Sequence, residues 1–170
     1  MILSNDNKYR GNQGKALKLD EYSHVEKPFL EQLGGLGWDV IELQMQQQPE
    51  QSFRTSFAEV VLKPKLRQAL VKINPFLTDA QVDEIERKIT TFPKNSLIEN
   101  NQQILNYLLE NTTVSKNEET GELSPTVRFI DFDNLDNNSF VAISQFKAVI
   151  TGTDHHIIPD MVLFVNGLPL

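Results

Sequence analysis

Cysteine is absent from the 170 residues, which excludes a disulfide scaffold, a thiolate zinc site and a cysteine nucleophile. Long apolar runs are absent as well. None approaches the ~18 residues needed to cross a bilayer, and the opening MILSNDNKYR has no signal-peptide h-region. The expected address is the cytoplasm, without membrane contact. Positive charge is in short supply: 16 Lys and Arg stand against 23 Asp and Glu, a formal net charge of −7. That balance argues against holding nucleic acid by bulk charge. It leaves room for DNA contact through a local, metal-loaded carboxylate site. A Gly-rich phosphate loop is also missing, since GGLG at 34–37 follows a helical stretch instead of opening one. No Ser/His/Asp arrangement stands out from chance. With 39% apolar and 23% charged residues, the chain is that of a soluble globular protein, long enough for one domain with its own core.

Residues 1–20 are polar, with Lys8, Arg10, Lys15 and Lys18 among Asn, Gln and Gly. They predict a flexible N-terminal arm whose cations solubilise more than they bind. A first helix is expected over Ser23–Leu33, where Val25, Phe29, Leu30 and Leu33 form a stripe ended by Gly34, Gly35 and Gly37. Trp38–Leu43 alternates like a half-buried strand. The Gln-rich loop 44–51 offers nothing to pack. Three capping boxes then predict three helices: Ser56 with Glu59 to Ile73, Thr78 with Gln81 to Thr91, and Ser96 with Glu99 to Glu110. Pro64 is expected to kink or split the first of them. After a charged loop at 116–125, strands are expected at Val127–Phe132, at Phe140–Thr151 and at Pro159–Val165. Asn166-Gly167 signals a two-residue type I′ hairpin turn. Helices followed by a strand meander predict an α/β, mixed α+β fold with a mixed sheet flanked by helices, over residues 21–170.

The hairpin pairs Val165 with Leu168 and places the residue opposite Asp160 roughly three positions beyond Leu170. Either Leu168-Pro169-Leu170 is a short edge strand, or the chain is a fragment cut inside a strand. The second is the expectation carried forward.

The chemistry-bearing candidates are few. Asp160 follows Pro159 at the head of the apolar strand Met161–Val165, a costly place for a carboxylate unless it is paired or metal-bound. A plain Pro-Asp turn is the alternative. Glu26 lies at i, i+3, i+4 and i+7 with Phe29, Leu30 and Leu33, on the apolar face of the first helix. It serves either a site or merely the helix dipole. His155-His156 has no third ligand at a sensible spacing for zinc, and His24 reads as a cap or surface residue. Arg54, Lys63, Lys65, Arg67 and Lys72 form the best local basic cluster, which would be either a DNA contact or a solvated helix face.

Three stretches together carry a resemblance. They are Ser144-Gln145-Phe146-Lys147 with Ile157-Ile158-Pro159-Asp160-Met161-Val162-Leu163-Phe164-Val165-Asn166-Gly167-Leu168-Pro169-Leu170; His24-Val25-Glu26 through Leu33 with Gly37-Trp38; and Arg54–Leu62 with Ala69-Leu70 and Asn74-Pro75. Over roughly residues 20–170 the chain resembles the N-terminal nuclease domain of type I restriction enzyme R subunits, of the PD…(D/E)xK nuclease superfamily. The specific part is the string from Asp160 to Leu170. The resemblance implies a restriction-endonuclease-like fold with Asp160 as catalytic metal ligand and Glu26 as the helix glutamate of a Mg²⁺ site. It places the Glu-x-Lys strand just past Leu170, so this fragment by itself is expected to be inactive. The parent would be a Mg²⁺-dependent endonuclease that hydrolyses double-stranded DNA while translocating it with ATP. Its partners would be the methylation and specificity subunits of a restriction-modification enzyme. The alternative is a non-catalytic interaction module docking through the helical face 56–110.

Overall fold

The computed structural model describes residues 22–91, 102, 105–108, 112–150 and 153–170. The expected arm at 1–20 and the capping box at Ser96 and Glu99 lie outside these. Residues 102 and 105–108, within the helix expected after Ser96, are helical.

The first helix opens with a π-helical turn, Tyr22–Glu26, and continues as α1, Lys27–Gly35. Leu30 and Leu33 are its buried residues, and Gly37 at φ 90° leads the chain out. Strand β1, Asp39–Glu42, follows and pairs in parallel with β4, Phe140–Ser144. β4 pairs antiparallel with β7, Met161–Val165, and β7 with the edge strand β8, Leu168–Pro169. The result is a mixed four-stranded sheet in the order β1-β4-β7-β8.

Period-2 alternation sorts the sheet's side chains into two layers. Val40, Ala142, Met161 and Leu163 meet Leu30 and Leu33 of α1 on one face. Ile41, Val141, Ile143, Val162 and Phe164 pack with Leu43, Leu62 and Phe146 on the other. Helices α2, Lys63–Ile73, and α3, Asp79–Thr90, form the adjoining core. Their stripes (Leu66 and Leu70; Val82, Ile85 and Ile89) enclose Val127, Phe129 and Leu168. These apolar stripes are spent on the protein's own core.

Five local expectations are corrected. The helix does not begin at Ser56: residues 53–62 are turns, Glu59 accepts from the Thr55 N–H at 2.7 Å and its hydroxyl at 3.1 Å, and α2 starts at Lys63. Pro64 therefore occupies the first turn, where its missing N–H costs nothing, and neither kinks nor splits a helix. The strand expected at Val127–Phe132 shrinks to β3, Thr126–Val127, paired with an unanticipated β2, Thr112–Thr113. Beyond it Asp131 accepts from Asp133 N–H, Asn134 N–H and Asn137 Nδ2, folding the segment into turns. The long strand at Phe140–Thr151 breaks after Ser144 at Gln145, whose φ is 54°. It resumes as β5, Ala148–Val149, paired with β6, His156–Ile157. Finally, the Gln-rich loop does pack, through buried Gln47.

Among the described residues, no helix is long and apolar enough to cross a membrane.

Candidate active site

Asp160 stands just before β7, and the register Ser144↔Met161 sets Gln145 opposite Asp160. At that point the ladder gives way to a bulge. Gln145 N–H donates to Asp160 C=O at 2.9 Å, and Phe146 N–H donates to Pro159 C=O at 3.2 Å. Asp160 is exposed at the head of its strand. Its Oδ1 lies 3.5 Å from Gln145 Nε2, the outer limit of a hydrogen bond.

The bulge is fastened from behind by loop 44–59. Gln47 Nε2 donates to Gln145 C=O at 2.7 Å, and Gln47 Oε1 accepts from Lys147 N–H at 3.3 Å. Arg54 reaches Lys147 C=O at 2.9 Å and Glu59 C=O at 3.0 Å through Nη1, and Ser52 Oγ at 2.8 Å through Nε. Its guanidinium carbon stands 3.7 Å from the centre of the Phe146 ring, a cation–π contact. Its Nη2 is buried without a hydrogen bond. Burial pulls the Arg54 pKa down to about 10, opposed by the Glu59 charge, so the group stays cationic at neutral pH. Burial also acts on Glu59, but the Thr55 and Lys63 donors outweigh it and hold that carboxyl below its ordinary value.

The other candidates are distributed as follows. Glu26 ends the π-helical turn one turn before Leu30 and is half-buried. His155 and His156 are exposed. Arg54 is only 2% exposed and donates to two backbone carbonyls and the Ser52 hydroxyl, so it is no surface contact. Lys63 pairs with Glu59 at 3.1 Å and Glu86 at 3.9 Å, Lys65 with Asp39 at 3.2 Å, and Arg67 with Asp83 and Glu86. The Asp83 and Glu86 hydrogen bonds raise the Arg67 pKa. Lys72 Nζ donates to Asp136 C=O at 2.6 Å. The basic cluster of the sequence is thus one interior group and four surface groups with partners of their own.

Among the described residues, no three His, Cys, Asp or Glu come together as a metal-holding group. Asp160 and Glu26 nonetheless suit a hard divalent cation in kind. Both are carboxylates, and the exposed Asp160 carboxylate meets the Gln145 amide at the outer limit of a hydrogen bond.

Gln47 and Gln145 escaped the sequence reading as site residues. Gln145 fits the alternation of residues 140–150 perfectly, so nothing marks it as a bulge. Gln47 is one of five glutamines between 44 and 51, with no periodicity to single it out.

Residues 18–170 match the family model described as type I restriction enzyme R protein N terminus. The chain is 31% identical to the type I restriction enzyme HindI endonuclease subunit of Haemophilus influenzae, over 86% of this chain and 14% of that protein. It is 26% identical to the putative type I restriction enzyme MjaIXP endonuclease subunit of Methanocaldococcus jannaschii, over 92% of this chain and 15% of that protein. The chain thus spans about a seventh of the length of these curated relatives.

Proposed function

Because the chain belongs to the family of type I restriction enzyme R protein N termini, we propose that it is the DNA-cleaving region of such a subunit, with Asp160 at its catalytic centre. One observation carries the placement. Asp160 is an exposed carboxylate at the head of a central strand, beside a bulge that two buried side chains hold in place.

In this reading Asp160 and Glu26 are ligands of Mg²⁺, which, when bound, neutralises charge on the phosphodiester and lowers the pKa of an attacking water. One or two carboxylates with water and phosphate oxygens satisfy its octahedral demand. Asp160 offers its carboxylate to solvent, where duplex DNA can approach, and the clamped bulge keeps that carboxylate from moving with its strand. Met161 and Leu163 of β7 pack with Leu30 and Leu33 of α1, so the helix that bears Glu26 lies against the strand that Asp160 leads. The whole subunit would add ATP-driven translocation and work with methylation and specificity subunits, acting in the cytoplasm.

The test is plasmid cleavage by the full-length subunit in its complex. Asp160→Ala is expected to abolish cleavage and leave ATP hydrolysis intact. Undiminished cleavage would remove Asp160 from the site. The 170 residues by themselves, with Asp160 and Glu26 as the proposed ligands, are expected to leave supercoiled DNA unnicked in Mg²⁺ or Mn²⁺. Nicking at the rate of a longer chain would show these two carboxylates to be sufficient.

A further inference from the structure

Gln145 occupies a conformation that its residue type does not favour. A φ of 54° belongs to the left-handed region, where Gly, Asn and Asp are at home and Gln is uncommon. Strain of this kind persists only where the surroundings impose it, and it concentrates at functional sites. Here the surroundings are explicit. Gln145 N–H is tied to Asp160 C=O, Gln145 C=O to Gln47, and the two ends of Lys147 to Gln47 and Arg54. Arg54 is a buried cation with Nη2 left without a hydrogen bond, a costly group to keep for support alone. With its backbone held in this conformation, the Gln145 carboxamide lies beside Asp160, its cross-strand neighbour, with Nε2 3.5 Å from Oδ1.

We propose that Gln145 is a positioning residue for Asp160, its amide orienting the carboxylate so that the remaining oxygen is presented to the cation, with Gln47 and Arg54 holding the bulge that aims it. The inference rests on the reading of Asp160 as a metal ligand. Hydrogen bonds to a ligating carboxylate fix its orientation, and removing such a partner costs roughly ten- to hundredfold in metal affinity or activity.

The experiment compares Gln145→Ala, Gln145→Gly and Asp160→Ala in the full-length subunit within its complex. Cleavage is measured against Mg²⁺ concentration, and the thermal unfolding of the 170-residue chain is followed for the Gln145 variants. Both Gln145 variants should need about tenfold more Mg²⁺ for half-maximal cleavage, with a smaller fall in the maximal rate. Gln145→Gly relieves the left-handed backbone and should melt at or above the unsubstituted chain, whereas Gln145→Ala should not. Loss of the Mg²⁺ response in a variant that is no less stable identifies positioning. Unchanged Mg²⁺ dependence in both Gln145 variants, alongside an inactive Asp160→Ala, overturns the role of Gln145 and leaves the site standing. A Gln145→Gly that melts lower in proportion to its lost cleavage overturns it too, since the residue would then be only structural. Full cleavage by Asp160→Ala overturns the reading of the site itself.

Discussion

Single residues fix the hairpin on which Asp160's strand turns. Asn166 and Gly167 have φ of 52° and 78°, the two positive values a type I′ turn requires. Asn166 is fully buried and donates to Phe129 C=O and Asn138 Oδ1 while accepting from Ser139 N–H. At Gly167 a Cβ would lie 2.4 Å from Leu62 C=O and 2.8 Å from Leu66 N. Gly167 C=O in turn accepts from Leu62 N–H at 2.8 Å, so the turn is pressed against the start of α2. Gly167→Ala combines that clash with an unfavourable φ. Gly→Ala at a strain-free site stabilises by about 0.4–1 kcal/mol; here the change should destabilise by more than that amount, read as a drop in urea midpoint at unchanged slope. Glu59 supplies a second prediction, from its pH dependence. Its carboxyl is held below the ordinary value of 4.5, so the unfolded chain takes up the proton first as pH falls. The stabilisation is therefore complete above about pH 4.5 and lost as pH drops through the lower folded value. Stability profiles of the unsubstituted chain and Glu59→Gln should converge as pH falls below that point. Parallel profiles would mean that Glu59 contributes nothing through its charge.

At the scale of elements, helix starts depend on which side chain reaches which orphan N–H. Thr78 and Gln81 form both halves of a capping box at the head of α3, at 3.3 and 3.0 Å. Thr78→Ala should cost about 1 kcal/mol, measured by the shift of the chemical unfolding midpoint. The same sequence pattern at Ser56 and Glu59 misleads, because Glu59 bonds Thr55 instead of the Ser56 backbone and the chain stays non-helical until Lys63. Patterns carried by several residues are legible in this sequence: the alternation of β1, the apolar run of β7, the Asn-Gly turn with Val165 facing Leu168, and half of the first helix's stripe, where Leu30 and Leu33 are buried but Val25 and Phe29 are exposed. Features set by contacts distant in sequence are not. The break at Gln145 depends on Gln47 and Arg54, which lie about a hundred residues earlier and are brought near only by the folded sheet. Asp160 could be singled out from Pro159 and the strand that follows. The amide beside it could not, since nothing local distinguishes it from a strand residue.

Across the whole molecule, charge bears on how the proposed nuclease region would meet DNA. Residues 1–20 hold four cations and two carboxylates, which leaves 12 cations against 21 carboxylates for residues 21–170. Many of those cations are already committed: Lys63, Lys65, Arg67, Lys88, Lys116 and Arg128 are in ion pairs, and Arg54 is interior. Phosphate contact would have to break such pairs, and each exposed pair is worth about 1 kcal/mol or less. Breaking them is therefore affordable singly, but it liberates a carboxylate beside the phosphate every time. Non-specific affinity comes from releasing counterions as phosphates are neutralised, with a salt slope of about −0.9 per contact. Among the described residues most cations are engaged in this way, and the chain's surplus of anions repels the duplex. In fluorescence anisotropy with a short duplex, the expected dissociation constant at physiological salt is weaker than about 10⁻⁴ M, beyond the usual range for non-specific binders. Between 50 and 200 mM NaCl the fitted slope should correspond to about two contacts or fewer. Tight binding with a steep slope would show that the ion pairs of α2 and α3 open to receive phosphate. The proposed cleavage would then draw its DNA affinity from this chain, whereas weak, shallow binding assigns that affinity to the rest of the restriction complex.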